Sequence, residues 1–241
     1  MSAPAQYAIR LARSPEEIQA AQSLRFQVFN LELNEGLAHS YATGLDADPF
    51  DAVCDHLIVE HIDSRQIVGT YRLQTGASAA KNLGYYCEQE FVFGVYEPLR
   101  KQIVELGRAC VHRQHRNLFV LGLLWKGIAD YARERGGRYL IGCSSLTSQE
   151  PAAGASAYTE LCRNHLADHP WRTDPLPSHE CPLDLVTEEP VSIPKLLRAY
   201  LTVGAKICGR PALDRQFKTI DFLTLLDLDA MTPQARARFL G

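Results

Sequence analysis

The chain has 241 residues, of which 46% are hydrophobic and 22% charged, with a formal net charge of −3. That composition excludes a disordered chain, and the length suits one generous domain over residues 1–241. No uncharged apolar run reaches the ~20 residues that cross a bilayer, the N-terminus Met-Ser-Ala-Pro-Ala-Gln carries no leader-like segment, and the seven cysteines are scattered without a CxxC pair, so a reduced, cytoplasmic protein is expected.

Residues 6–12 alternate weakly and predict a first strand. Ser14-Pro15-Glu16-Glu17 then supplies an N-cap, a proline at the first helical position and a capping-box glutamate, and the helix it starts runs to about Phe29. Its inner side carries Ile18, Ala21, Leu24, Arg25 and Val28. Residues 34–54 have no sustained period, and Asp46-Ala47-Asp48-Pro49 marks a turn. Segments 56–62 and 66–75 are rich in β-formers and flank Asp63-Ser64-Arg65 as a hairpin. A short helix over 77–83 and a strand over 103–112 follow. The strongest helix starts near Leu118, with Leu121, Trp125, Ile128 and Ala132 at helical spacing, Lys126 and Asp130 as an outer i,i+4 pair, and Gly136-Gly137 as its stop. A strand over 138–145, a small-residue loop over 151–156, a helix over 157–167, an irregular stretch over 168–191, a helix over 193–203 and a strand over 218–228 complete the order. Such an order suggests one mixed α/β sheet.

Charge is unevenly spread. No Lys or Arg falls between Arg25 and Arg65, where Glu32, Glu35, Asp46, Asp48, Asp51, Asp55, Glu60 and Asp63 lie. From Arg108 to Arg138 seven basic residues face only Asp130 and Glu134. An acidic lobe suits a cationic small molecule and a basic lobe an anionic partner, although on charge alone two ordinary solvated faces account for both. No GxGxxG or Walker loop is present, and no nucleic-acid-binding signature accompanies the local basic excess. Gly142-Cys143-Ser144-Ser145-Leu146 lacks the second glycine of a hydrolase nucleophile elbow. Cys162, His165, His169, His179 and Cys181 have ligand-like spacing but lack the paired knuckles of a structural zinc site, so no metal is expected.

Four segments read together: Leu24-Arg25-Phe26-Gln27-Val28-Phe29, Asp46-x-Asp48-Pro49-Phe50-Asp51, Val68-Gly69-Thr70-Tyr71-Arg72-Leu73, and Glu105-Leu106-Gly107-Arg108-Ala109-Cys110-Val111. Their order and spacing resemble the acyl-homoserine-lactone synthases, with an Arg-x3-Phe helix, an acidic loop, an Arg-Leu strand and a Glu-x2-Arg strand. The likeness is closer to the N-acyl amino acid synthases and the ornithine N-acyltransferases of ornithine-lipid synthesis. Leu123-Leu124-Trp125-x-Gly127-Ile128, Gly204-Ala205-Lys206-Ile207-Cys208-Gly209 and Asp214-x2-Phe217-x-Thr219-x-Asp221-Phe222 extend it to about residues 20–230.

This resemblance implies a GNAT-like mixed, mainly antiparallel sheet flanked by helices, and transfer of a fatty acyl group, often 3-hydroxylated, to an amino-acid amine. The strand before the central helix then offers backbone N–H groups around Ala109, Cys110, Val111 and His112 to the donor's pantetheine arm and thioester oxygen. Glu105 is the candidate base, with an ion pair to Arg108 or Arg72 as its structural alternative. Arg25, Arg72 and Arg108 form either a scaffold with Asp48 and Asp51 or a grip on the acceptor carboxylate.

GNAT enzymes that use coenzyme A carry Q/R-x-x-G-x-G/A at the N-terminus of the central helix. Here the stretch is Arg116-Asn117-Leu118-Phe119-Val120-Leu121, whose bulk obstructs a pyrophosphate. Acyl carrier protein brings its pantetheine without adenosine diphosphate and is acidic, so it is the expected donor. No dissociable cofactor is expected, and Arg113, Arg116, Lys126, Arg133 and Arg135 are read as the docking group. The acidic loop, with Asp46, Asp48 and Asp51, points to ornithine as acceptor and to a lyso-ornithine-lipid product. Another amino acid or a homoserine lactone product, or a catalytically silent relative that binds acyl carrier protein, are the alternatives. Lys195, Arg198 and Lys206 flank Leu196, Leu197 and Leu201 in a pattern that fits a core helix and also peripheral contact with an anionic bilayer.

Overall fold

The computed structural model describes residues 6–185 and 192–239, which leaves most of the N-terminal hexapeptide and the end of the 168–191 stretch outside the described residues. The strands are β1 (Tyr7–Leu11), β2 (Asp55–His61), β3 (Gln66–Thr75), β4 (Ile103–Val111), β5 (Tyr139–Leu146), β6 (Lys206–Ile207), β7 (Ala212–Asp214) and β8 (Thr219–Asp227). The helices are α1 (Pro15–Phe26), α2 (Ser40–Thr43), α3 (Gly76–Lys81), α4 (Leu118–Glu134), α5 (Pro151–His165), α6 (Lys195–Thr202) and α7 (Pro233–Phe239). They form one sheet in the order β1-β2-β3-β4-β5-β8-β6, with β7 also on β8. Every pairing is antiparallel except β4 with β5. The mixed, mainly antiparallel sheet expected from the resemblance is therefore the observed one.

Helix α1 begins where the sequence places it: Ser14 Oγ accepts the Glu17 N–H and Pro15 occupies the first turn. Glu17 turns away from a reciprocal cap, because Arg10 Nη2 at 2.6 Å and the Arg13 N–H at 2.7 Å claim its carboxylate. The helix then widens into a π-turn over Gln27–Glu32, where the Leu33 N–H bonds to the Val28 carbonyl. Just past this turn Glu35 is buried. Helix α4 lays Val120, Leu124, Ile128 and Ala132 on Leu57, Val59, Val68 and Leu73 of the sheet. Lys126 Nζ meets Asp130 at 2.7 Å on its wet side, as the spacing predicts.

One expectation fails at the C-terminal half, and two short strands there lie outside the predicted order. The predicted loop over 151–156 is the start of α5, because Gly154, Ala155 and Ala157 are packing residues: a Cβ on Gly154 would lie 2.9 Å from Cys181 Sγ. The short strands β6 and β7 carry too few residues for a period, and the 168–185 strap beside them is held by single bridges at Thr173↔Gly209 and Glu180↔Ala212.

Candidate active site

Pairing between β4 and β5 stops at Glu105↔Ile141, although β4 runs on to Val111 and β5 to Leu146. Gly142 stands at the divergence: a Cβ there would sit 2.3 Å from the Leu106 carbonyl oxygen, so only glycine lets the strands touch before they part. Beyond it they bound a cavity of about 460 Å³, with Leu106, Gly107, Arg108 and Ala109 on one wall and Cys143, Ser144 and Ser145 on the other. Tyr71, Leu73, Leu197, Tyr200 and Phe217 give it an apolar lining.

Strand β4 carries a bulge here. Arg108 and Ala109 together oppose Tyr71, between Cys110↔Thr70 and Gly107↔Arg72, and Arg108 takes φ +51°. The turn this makes directs Arg108 into the acidic loop. Arg25 Nε meets Asp46 at 2.8 Å and its Nη2 meets Asp51 at 2.6 Å. Arg72 Nη1 joins Asp51 at 3.0 Å and Asp48 at 2.6 Å. Arg108 closes the circuit on Asp48 at 2.9 Å and Asp46 at 3.3 Å. Three cations and three anions thus alternate around a ring in which each touches two opposites. Burial opposes the charge of Asp51, but Arg25 and Arg72 overcome it and hold this carboxyl well below the usual carboxylate range. Asp48 also caps the 3-10 turn Pro49–Ala52 by accepting the Phe50 N–H at 2.9 Å. The Tyr86 ring lies 5.2 Å from the Arg72 guanidinium and 4.7 Å from that of Arg108.

This ring corrects one expectation. Asp46, Asp48 and Asp51 do not border the cavity, and their charge is already matched, so they hold arginines and offer no free anionic pocket. Of the two roles open to the arginines, the scaffold is the one seen. Arg72 and Arg108 nevertheless border the cavity; Arg25 does not.

Glu105 lies at the end of the β4–β5 pairing, buried, and borders the cavity. It makes no ion pair with Arg72 or Arg108. Its carboxylate instead accepts the Cys87 N–H at 2.8 Å, the Tyr86 N–H at 2.9 Å and Gln74 Nε2 at 2.5 Å. These donors fix both oxygens at the cavity wall.

Past the bulge, the His112 N–H bonds back to the Val68 carbonyl at 2.8 Å, so alternation turns the backbone groups of Val111 to the opposite, cleft-side edge. Arg116 Nε donates to the Val111 carbonyl on that edge at 2.9 Å, while its Nη2 holds Glu32 at 2.7 Å. Ala109 borders the cavity, whereas Cys110 packs into the core beside α1, where burial pushes its thiol up to about 12. At the start of α4, Asn117 Oδ1 accepts the N–H groups of Phe119 and Val120, both at 3.0 Å. Those are donors that an anion at a helix N-terminus would use.

The chain matches the family model of an acetyltransferase (GNAT) domain over residues 24–126, which spans the arginine–aspartate ring and Glu105. It is 35% identical to the L-ornithine N(alpha)-acyltransferase of Brucella abortus, over 93% of this chain and 85% of that protein. It is 33% identical to the enzyme of the same name from Rhodobacter capsulatus, over 98% of this chain and 95% of that one. The chain belongs to the L-ornithine N(alpha)-acyltransferase family. It is an acyltransferase. Its fold is that of TofI (TM-score 0.57, 19% identity, 98% of each chain) and of FeeM, an N-acyl amino acid synthase from uncultured soil microbes (TM-score 0.55, 14% identity, 97% of this chain and 94% of that one).

In this member of the L-ornithine N(alpha)-acyltransferase family the basic group does not gather at the cavity. Lys126 and Arg133 both pair with Asp130, Arg135 stacks on Tyr131, and α4 rises about 1.5 Å per residue, so Arg133 lies roughly 22 Å along the helix from Leu118. Arg113 and Arg116 lie at the near end, and Arg116 with Lys195 of α6 borders the cavity. Among the described residues, the one group of three His, Cys, Asp or Glu side chains with ligand atoms within 4.8 Å is Glu90, Asp214 and Asp221, not the Cys162–Cys181 set. The sequence places Glu35 in the acidic lobe and Asp214 and Asp221 in a segment that carries the resemblance, but singles out none of these four acids as a site residue, yet all four border the cavity. The signal was there for Asp221, a lone carboxylate inside the apolar run Ile220-Asp221-Phe222-Leu223.

Proposed function

We propose that the chain moves a long, 3-hydroxylated acyl group from the phosphopantetheine thioester of acyl carrier protein to the α-amine of L-ornithine, giving lyso-ornithine lipid. The observation that carries this reading is the cleft between β4 and β5, with an apolar wall of Tyr71, Leu73, Leu197, Tyr200 and Phe217 and the Glu105 carboxylate fixed where the strands part. Sequence relatives that bear the name L-ornithine N(alpha)-acyltransferase along most of their length support the acceptor. The capped start of α4 supports the donor, because Asn117 already fills donors that a pyrophosphate would need.

In this mechanism the pantetheine arm lies along the free edge of β4, where backbone N–H groups near Ala109 and Val111 polarise the thioester oxygen. The α-ammonium gives one proton to Glu105, directly or through water, and the freed nitrogen lone pair attacks the carbonyl carbon. A C–N bond forms, the C–S bond breaks, and the second proton leaves the nitrogen for the pantetheine thiolate. Arg72 and Arg108, held by the aspartate ring, keep the wall rigid beside the developing oxyanion. Stacking of the α6 stripe (Leu197, Leu201) in the core leaves Lys195 and Arg198 as the exposed cations available to an anionic membrane that receives the product.

The test is incubation of the purified chain with 3-hydroxyacyl carrier protein and a panel of amino acids, with products read by mass spectrometry. N-acylornithine is expected from the carrier-protein donor, and equal use of acyl-coenzyme A would overturn the donor assignment. Glu105→Gln should lower kcat by about 100-fold or more in a chain that still melts cooperatively. Turnover near wild type in that variant removes Glu105 from the role of base.

A further inference from the structure

The cavity has two acidic surroundings with opposite electrostatics. Around Asp46, Asp48 and Asp51 every carboxylate has two guanidinium partners. Glu35, Glu90, Asp214 and Asp221 are also buried, and none of them is in an ion pair among the described residues. Glu90, Asp214 and Asp221 bring ligand oxygens within 4.8 Å of one another. Their backbones are fixed. Asp221 lies mid-sheet on β8, opposite Ser145 and Ala212. Asp214 ends β7 and accepts the N–H groups of Gln216 and Phe217 at 2.7 and 2.9 Å. Glu90 follows the 3-10 turn Tyr86–Gln89, and its carbonyl accepts the Leu176 N–H at 2.7 Å.

A second observation points outward from this cluster. Asp221 is 3% exposed, and its Oδ2 accepts Thr219 Oγ1 at 3.1 Å, but its Oδ1 is buried and meets no donor in good hydrogen-bond geometry, with Ser145 and Glu90 as its polar neighbours. A buried carboxylate oxygen without a donor is costly, and three mutually close carboxylates without a countercharge are more so. Protonation relieves part of that cost without a ligand, and a cation entering from the cavity would supply the countercharge directly. A primary ammonium has three N–H donors and no acceptor, and donating at about 2.8 Å it holds three acceptors roughly 4.6 Å apart, a spacing this triad accommodates.

We propose that Glu90, Asp214 and Asp221 form the subsite for the distal ammonium of a diamino-acid acceptor. The inference rests on the reading of the cavity as the amino-acid acceptor site, and it gives that acceptor's second amine its partners. One end of the acceptor is then at Glu105 and the other at the triad, so a diamine is favoured over a neutral amino acid of the same length.

The experiment compares L-ornithine with L-norvaline, which has the same carbon chain without the δ-amine, using the full chain and one acyl donor. Wild type should prefer ornithine, and Asp221→Asn and Glu90→Gln should each reduce the ornithine-to-norvaline ratio of kcat/KM about tenfold or more, chiefly through the ornithine KM. Calorimetric titration of ornithine without donor should show the same loss of binding. An unchanged ratio in a variant that still melts cooperatively overturns the subsite. So does turnover that is abolished by EDTA and restored by Mg²⁺ or Mn²⁺, which would make the triad a metal site. Wild type that acylates no amino acid, yet binds ornithine in an Asp221-dependent way, defeats the acyl-transfer reading and leaves the subsite standing. Wild type that neither acylates nor binds ornithine defeats both.

Discussion

Arg25 has no exposed surface, and its removal would leave Asp46 and Asp51 each with a single arginine. Breaking a buried pair costs about 3–5 kcal/mol, so Arg25→Met should lower the unfolding free energy by that order in urea titrations, and Arg25→Lys should recover little because one ammonium cannot copy the two-sided guanidinium grip. The titrating acids make a second residue-scale prediction. Burial raises Glu35 to about 7 against the pull of Thr147, with Asp221 adding to the rise, and burial raises Asp221 to about 6 against Ser145, with Asp214 adding. Glu90 is pushed well above the usual range by burial and by the same two aspartates, with Arg108 opposing. A carboxyl with a raised folded pKa stabilises the protein below its unfolded pKa of about 4, and that stability is lost as pH rises through the folded value. Asp51 works in the opposite sense and protects only above its unfolded pKa. The ligand-free melting temperature should therefore be higher at pH 5 than at pH 7.5, and Asp221→Asn should flatten that slope. A slope unchanged in the variant would remove Asp221 from this account.

At the scale of elements, the strands flanking the cleft were legible because their residues carry period and composition: 103–112 against the observed Ile103–Val111, and 138–145 against Tyr139–Leu146. What they do to each other was not. The point where they part is set by Gly142 and a carbonyl of a strand distant in sequence, a contact no local pattern announces. Gly142→Ala should force β4 and β5 apart at their last pairing, with a loss of about 1–3 kcal/mol in stability and a larger fractional loss of activity, read from melting curves and initial rates. The bulge at Arg108 was equally silent, since a non-glycine residue at positive φ follows from the pairs on either side and not from its own identity. Helix α5 was misjudged for the opposite reason: Ala152, Ala153, Gly154 and Ala155 look like a loop by composition, and are helical because a small-residue face lets α5 press on Cys181 and Ile220.

Across the whole molecule, the charge asymmetry of the sequence is real but its reading changes with the third dimension. Within the acidic lobe Asp46, Asp48 and Asp51 are neutralised by Arg25, Arg72 and Arg108, of which Arg72 and Arg108 come from beyond it, and the basic lobe is drawn out along α4 and largely paired. The acids that border the cavity come from three separate stretches, at 35, 90 and 214–221, so only folding brings them together. Docking of an acidic carrier protein should then depend on cations at the cavity end. Lys195→Glu and Arg113→Glu should raise the KM for acyl carrier protein about tenfold at low salt and less at high salt, while Lys126→Glu and Arg133→Glu leave it near wild type. An equal effect of all four would place the carrier protein along α4 instead.

The sheet itself is joined across its middle by three residue pairs, Ile103↔Tyr139, Val104↔Leu140 and Glu105↔Ile141. On one side lie β1 to β4 with α4 packed over them, and on the other β5, β8, β6 and β7; an apolar seam of Val104, Trp125, Leu140 and Leu226 is shared between the halves. The polypeptide is in this sense divisible. Cleavage at the exposed Gly136 turn yields two segments that each carry half a sheet and one bank of the cleft, and catalysis should return only when the two are mixed and reassociate.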